Sequence, residues 1–202
     1  MKPCLVIIED HPVMRNGLAA WFEGCGRWRV VGTASTLTEA KDLLITLAAK
    51  GQKVDLLLLD IQLEDGWGLD IIPWYAKQTE VPPAAVYSVF DDYAHVSAAL
   101  GMGVRAYVTK RRGETELEAA LLKVLEGGVC IDEAAQIKLN TVTDLLGLLS
   151  KREAEILSLV KSGLSNKQIA ASLGISRRTV ENILSCVYDK TGIRSRLELE
   201  RL

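Results

Sequence analysis

Histidine is scarce in this sequence, with only His11 and His95, and its four cysteines are scattered. Cys4, Cys25, Cys130 and Cys186 lie far apart and make no Cys-x-x-Cys pair. A structural zinc centre needs nitrogen or sulfur ligands at short, recurrent spacings, so none is expected, and the thiols read as reduced, partly buried small hydrophobes. Long apolar runs are missing too. A membrane helix needs about 18 uncharged apolar residues, and the longest candidate, Val54 to Ile61, is broken by Asp55 and Asp60. No secretory pattern opens the chain, because Glu9 and Asp10 interrupt its first apolar run. Internal repeats and low-complexity tracts are absent. The expectation is a cytoplasmic globular protein without a membrane partner.

What is present is 202 residues, 49% apolar and 25% charged, enough for one large or two small domains. The net charge of −2 is unevenly spread. Residues 145–202 hold ten Lys/Arg against six Asp/Glu, a net +4, whereas residues 1–144 hold fourteen against twenty, a net −6. An acidic front joined to a basic back implies two domains with different partners, the basic one suited by long-range attraction to nucleic acid.

Short apolar runs alternate with amphipathic ones over residues 1–126. Cys4–Glu9, Trp28–Ala34, Val54–Asp60, Ala84–Val89 and Ala106–Thr109 read as five strands. Several of them, such as Leu56-Leu-Leu-Leu59, are apolar without alternation, the mark of strands covered on both faces in a parallel sheet. Leu117, Ala120, Leu121, Val124 and Leu125 follow helical spacing, and Thr36-x-x-Glu39 is a capping-box start. The fold class is α/β, flavodoxin-like, with a five-stranded parallel sheet. Residues 127–147 lose periodicity and read as a linker; at most a short helix is expected around Asp132–Leu139, because Thr141-Val-Thr143 disfavours a longer one. Residues 148–202 then form a small all-α domain. Ser150, Ser165 and Ser176 open three helices that end near Lys161, Gly174 and Lys190, and a fourth starts near Ser195. The short helix, the Gly174-Ile175 turn and the longer helix make a helix-turn-helix.

Ligands of open parallel sheets bind beyond the carboxyl ends of the strands. Here those ends carry Glu9-Asp10, Asp60, Ser88 and Lys110. Three carboxylates cannot approach one another cheaply. Mg²⁺, with its preference for oxygen ligands, would resolve the conflict, using Glu9, Asp10, Asp60 and the backbone carbonyl of Gln62. Such a site readies Asp60 to accept a phosphoryl group, with Lys110 and Ser88 placed to hold its oxygens. His11 reads as a loop residue entering the first helix, with Pro12 at that helix's start.

Ile8-Glu-Asp-His-Pro12, Leu59-Asp60 through Asp65-Gly66, Tyr87-Ser88 and Tyr107-Val-Thr-Lys110 resemble, in order and spacing, the receiver domain of response regulators, over about residues 3–126. The resemblance implies that Asp60 is the phosphoacceptor, Glu9 and Asp10 the metal pair, Lys110 the phosphoryl-binding lysine, Ser88 the switch hydroxyl and Tyr107 the switch aromatic. Glu64 stands where the family often has Pro. Leu149–Glu153, Gly163–Ala170 and Ile175–Val180 resemble the LuxR-type helix-turn-helix, over about 148–202. That resemblance implies a third helix docked in the major groove, usually in a homodimer. On that helix Val180, Ile183, Leu184 and Val187 form the inner stripe. Arg178, Glu181, Asn182, Ser185 and Asp189 face outward, with Thr179 near the helix start. Asn182 suits adenine and Glu181 suits cytosine N4, while Lys167, Arg177, Arg178, Lys190, Arg194 and Arg196 suit phosphates. The family is often basic at Glu181 and Ser185 and often has His at Ile183.

Together these readings describe a two-component regulator of transcription. A histidine kinase or a small phosphodonor supplies the phosphoryl group, double-stranded DNA is the output partner, and a homodimer forms on activation. No enzyme activity is expected beyond self-phosphorylation and autodephosphorylation. A phosphatase of the haloacid dehalogenase type would want a second Asp where Gln62 stands. A phosphorylation-independent module whose C-terminal domain binds protein is the other alternative, one that Glu181 encourages.

Overall fold

The structure, a computed structural model, describes residues 1–78, 80–193, 195, 196 and 199. It divides into two compact units, Met1–Gln136 and Ile137–Leu202. No helix among the described residues is long and apolar enough to cross a membrane.

The first unit is built on strands β1 (Cys4–Ile8), β2 (Arg29–Ala34), β3 (Leu56–Leu59), β6 (Ala84–Ser88), β7 (Ala106–Thr109) and β8 (Cys130–Ile131). Between β3 and β6 a two-residue ladder pairs β4 (Gln62–Leu63) with β5 (Gly66–Trp67). The main sheet runs β2-β1-β3-β6-β7-β8, and every pair is parallel. It therefore has six strands rather than the five expected. The sixth is two residues long, below the length at which a hydrophobic pattern can be read, and it pairs with β7 through Ala106↔Cys130 and Tyr107↔Ile131.

Helices α1 (Pro12–Gly24), α2 (Leu37–Ala49), α3 (Ile71–Tyr75), α4 (Tyr93–Gly101) and α5 (Glu114–Leu125) connect the strands. Strands buried on both faces are what the unbroken apolar runs required. Leu5, Ile7, Leu56, Leu58, Ala85, Ala106 and Val108 pack with Leu18 and Phe22 of α1 and with Leu117, Leu121 and Val124 of α5. The alternate set, Val6, Ile8, Leu57, Leu59, Val86 and Tyr107, points the other way and is fully buried as well. Truncating one such leucine to Ala costs about 2–5 kcal/mol. One polar tie crosses this apolar layer. Glu118 of α5, 2% exposed, accepts a hydrogen bond of 2.9 Å from Trp28 Nε1 and pairs with Arg27.

Residues 127–147, expected as linker, hold β8 and then α6 (Glu133–Gly147), a helix of 15 residues. Thr141, Val142 and Thr143 do not stop it. A β-branched residue costs only some tenths of a kcal/mol in a helix, and the Thr141 hydroxyl bonds back to the Ile137 carbonyl at 2.9 Å. The division into two units falls inside α6.

In the second unit α7 (Lys151–Lys161), α8 (Asn166–Leu173) and α9 (Arg177–Thr191) enclose Ile156, Leu157, Val160, Ile169, Val180, Leu184 and Val187. Ser150, Ser165 and Ser176 each accept from the amide three residues on, and the first two complete capping boxes with Glu153 and Gln168. Gly174 closes α8 at φ 65°, a left-handed conformation that glycine adopts without cost, and so allows the tight turn into α9. The helix expected from Ser195 onward lies largely outside the described residues.

Candidate functional site

Backbone ladders place the acidic cleft. The Asp60 amide donates to the Ile8 carbonyl and the Lys110 amide to the Ser88 carbonyl, both at 2.8 Å, so each residue continues its strand by one step. Glu9, likewise, donates from its amide to Ala34. In the β2-β1-β3 order successive strands are added on opposite sides of β1, and a crevice forms at that switch point beyond the carboxyl ends of β1 and β3. It encloses about 360 Å³ and is lined by Asp10, His11, Asp60, Gln62, Phe90 and Lys110 among others.

Lys110 Nζ lies 2.6 Å from Asp60 Oδ2, 2.7 Å from Glu9 Oε2 and 2.9 Å from Glu9 Oε1. The three side chains are 9%, 6% and 3% exposed. Burial pulls the Lys110 ammonium down, but its hydrogen bonds to Asp60 and Glu9 outweigh that and leave it above the usual lysine range. Burial pushes the Glu9 carboxyl up, although the Lys110 hydrogen bond opposes the shift. Desolvated carboxylates favour positive charge beside them, and Lys110 supplies it here. Ligand atoms of Glu9, Asp10, His11 and Asp60 all lie within 4.8 Å of one another. His11, read as a loop residue, is indeed the N-cap of α1 with Pro12 following, and its Nδ1 also stands 2.7 Å from Asp10 Oδ1. Asp60 Oδ1 accepts from the Ile61 amide at 2.6 Å.

Ser88 is fully buried, and its hydroxyl is the one buried side-chain polar atom among the described residues without a hydrogen-bond partner. Such orphans are rare in folded proteins. Tyr107, two strands from Asp60, is fully buried and donates its hydroxyl to the Phe90 carbonyl at 2.9 Å, while burial pushes its phenol far above the usual range.

Three supporting residues have roles that the sequence does not state, although Asp65 belongs to the motif that follows Asp60. Arg15 Nη1 donates to the Glu9 and Asp10 carbonyls at 2.8 and 3.1 Å and so fixes the β1–α1 loop. Asp65 accepts from the Leu37 and Thr38 amides at 2.7 and 3.0 Å and ties the loop after Asp60 to the start of α2. Gly68 donates its amide to Ile61, and a Cβ on it would stand 1.9 Å from the Asp60 carbonyl oxygen. Only glycine fits there.

On α9 the outward residues are as the helical spacing requires. Arg178, Glu181, Asn182, Ser185 and Asp189 are exposed, while Val180, Leu184 and Val187 are buried and Ile183 is half-buried. Lys167 and Thr179 are exposed as well, the Thr179 hydroxyl 2.8 Å from that of Ser176. Arg177 Nε donates to Glu181 Oε1 at 2.8 Å, an i,i+4 pair that offsets the carboxylate on this face. Lys190 binds Glu153 Oε2 at 2.7 Å, which joins α9 to the cap of α7. Arg196 binds the Asn166 side chain at 2.9 Å and the Leu164 carbonyl. Arg194 lies outside the described residues. All four cysteines are free, and Cys186 is exposed on α9 rather than partly buried.

Two family models match the chain. One, described as response regulator receiver domain, covers residues 5–122, and the other, described as bacterial regulatory proteins, luxR family, covers residues 147–202. The oxygen regulatory protein NreC of Staphylococcus aureus is 30% identical over 209 aligned positions, covering 96% of this chain and 94% of that protein. Among solved structures, RcsB from Salmonella enterica serovar Typhimurium, bound to promoter P1flhDC with phosphomimetic BeF3-, is similar with a TM-score of 0.69. It is 23% identical, and the match covers 99% of this chain and 97% of that one. The response regulator ChrA of a heme-sensing two-component system is similar with a TM-score of 0.54 at 29% identity, covering 98% of this chain and 94% of that one.

Proposed function

Because the chain belongs to the response regulators that join a receiver domain to a luxR-family regulatory domain, we propose that phosphoryl transfer to Asp60 governs its binding to DNA. It is a DNA-binding response regulator, and the observation that carries the switch is the buried Lys110–Asp60–Glu9 group beside the orphaned Ser88 hydroxyl. A carboxylate oxygen of Asp60 attacks phosphorus on a kinase phosphohistidine or a small phosphodonor, and the leaving group departs with the bonding electrons. Lys110 turns from the carboxylates to a phosphoryl oxygen, and Ser88 donates its hydroxyl to another. Tyr107 and the Phe90 carbonyl it holds follow Ser88 on the neighbouring strand.

Mg²⁺ fits the donor set, with Glu9, Asp10, Asp60 and the Gln62 carbonyl as the groups that would hold it, and when bound it offsets the charge of the incoming phosphoryl oxygens. Self-phosphorylation from a small donor and slow autodephosphorylation belong to the same reading. The output is a homodimer on double-stranded DNA, with α9 in the major groove. Glu181, Asn182 and Ser185 approach base edges there, Arg177 orients Glu181, and Arg178, Thr179, Lys167, Lys190 and Arg194 approach the backbone. A cytoplasmic location follows from that output.

The test is treatment with a small phosphodonor, followed by intact mass, oligomeric state and DNA affinity. Wild type should gain one phosphoryl group and bind a genomic fragment more tightly. Asp60→Asn should do neither, and a full response in that variant refutes the proposal.

A further inference from the structure

Asp132 lies outside the acidic cleft, and its side chain is 2% exposed. Its hydrogen bonds reach two parts of the fold at once. Oδ2 accepts from the Thr109 hydroxyl at 2.5 Å and from the Thr109 amide at 3.3 Å. Oδ1 accepts from Arg112 Nε and Nη2 at 3.3 and 3.2 Å and from the Ala134 amide at 3.3 Å. Its own amide donates to the Tyr107 carbonyl at 2.7 Å, and its carbonyl accepts from the Gln136 amide at 2.8 Å.

Thr109 precedes Lys110, and Arg112 follows it by two residues. One carboxylate therefore grips both flanks of Lys110, and the backbone of the same residue holds Tyr107. Its other contacts, to Ala134 and Gln136, build the first turn of α6. That helix runs on to Gly147, past the Gln136/Ile137 division between the two compact units.

We propose that Asp132 is the positioning residue that couples the phosphorylation site to α6. The inference rests on the roles given above to Asp60 and Lys110. When Lys110 leaves Glu9 and Asp60 for a phosphoryl oxygen, its backbone neighbours move with it. The Thr109–Asp132 and Arg112–Asp132 bonds involve an ionised acceptor, which strengthens them relative to neutral ones, and the one from the Thr109 hydroxyl is short as well. A buried carboxylate cannot drop its partners without bearing the cost of its own desolvation. The displacement is therefore handed to the helix cap rather than absorbed. Burial alone would raise the Asp132 carboxyl, yet the Thr109 hydroxyl and Arg112 hold it below the usual range, as expected of a carboxylate that stays charged and engaged. A plain capping residue explains the contacts to Ala134 and Gln136 but not the four to Thr109 and Arg112.

The test uses the full chain and its variants Asp132→Asn, Thr109→Val and Thr109→Ser. Three quantities are measured: phosphoryl incorporation at saturation, affinity for a genomic fragment selected with phosphorylated wild type, and thermal stability. The decisive quantity is the ratio of DNA affinities with and without phosphorylation. Coupling of this kind is typically about 5- to 150-fold. Asp132→Asn and Thr109→Val should still be labelled on Asp60, keep the unphosphorylated affinity, and lower the ratio below about twofold. Thr109→Ser, which restores the hydroxyl, should recover it. If Asp132→Asn fails to fold, the Thr109 pair decides. A wild-type ratio in both Asp132→Asn and Thr109→Val, whatever the loss of stability, overturns the inference and leaves Asp132 a cap. A ratio of one in wild type itself overturns the underlying reading of Asp60.

Discussion

Gly68 and Asp60 approach so closely that a Cβ on Gly68 would stand 1.9 Å from the Asp60 carbonyl oxygen. Backbone is the obstacle, so no side-chain rotation relieves the clash. Gly68→Ala should destabilise the first unit by about 1–3 kcal/mol, in the range of overpacked cores. It should also slow phosphoryl incorporation by moving Asp60. Urea denaturation and phosphodonor labelling measure the two effects, and unchanged labelling would mean that the loop yields elsewhere.

Ser88 gives the opposite stability result. A buried hydroxyl without a partner bears its desolvation cost, about 1–3 kcal/mol, with nothing in return. Ser88→Ala should leave the unphosphorylated protein as stable as wild type, or more so by about 1 kcal/mol. The same variant should lose the gain in DNA affinity on phosphorylation. A marked drop in melting temperature would show that the hydroxyl is already engaged.

Glu153 makes the helical unit sensitive to acid. Its bonds to Lys190 and to the Ser150 amide and hydroxyl hold its carboxyl down at about 2, against an ordinary 4.5. A depressed carboxyl contributes stability that is present above its unfolded value and is lost as pH falls through the folded one. The contribution should therefore fade between pH 4.5 and 2. Glu153→Gln should be less stable than wild type at pH 7 and approach it at pH 2. Hydrogen exchange on α7 and α9 reads the difference, and an equal gap at both pH values would count against the pair.

The exposed basic residues of the second unit should act on DNA through phosphates. Arg178→Ala and Lys167→Ala should each weaken binding across all sequences and reduce the salt slope by about 1. Glu181→Gln should instead strengthen non-specific binding at low salt, since it removes a carboxylate from this face and releases Arg177. Gel shifts over a salt series separate these cases.

The parts of the fold that were legible are those with a long local signal. Leu56–Leu59 is four apolar residues in a row because both faces of β3 are covered, and Ser150-x-x-Glu153 shows its cap in the sequence itself. The strand ends followed, and with them the gathering of Glu9, Asp60 and Lys110. What stayed hidden depends on contacts between distant positions. Glu118 meets Trp28 across 90 residues, and Thr109 meets Asp132 across 23, with nothing in either neighbourhood to announce it. Gly68 reads as one more turn glycine until the Asp60 carbonyl is placed beside it. Helix α6 is hidden for a different reason: the weak propensity of Thr141–Thr143 masks a helix that its backbone hydrogen bonds hold all the same.

The ammonium shared by Glu9 and Asp60 bears on how the protein is made. Many metal sites stay unfolded until the ion arrives, because their ligands repel one another without it. Here Lys110 is a counter-ion tethered to the chain, delivered by β7 as the sheet assembles. Folding need not wait for a cation, and a newly synthesised molecule can stand finished with its acceptor carboxylate already neutralised. If Asp60 takes up a phosphoryl group with Mg²⁺ as proposed, the supply of divalent ions sets how quickly the regulator is charged, but not how much of it survives.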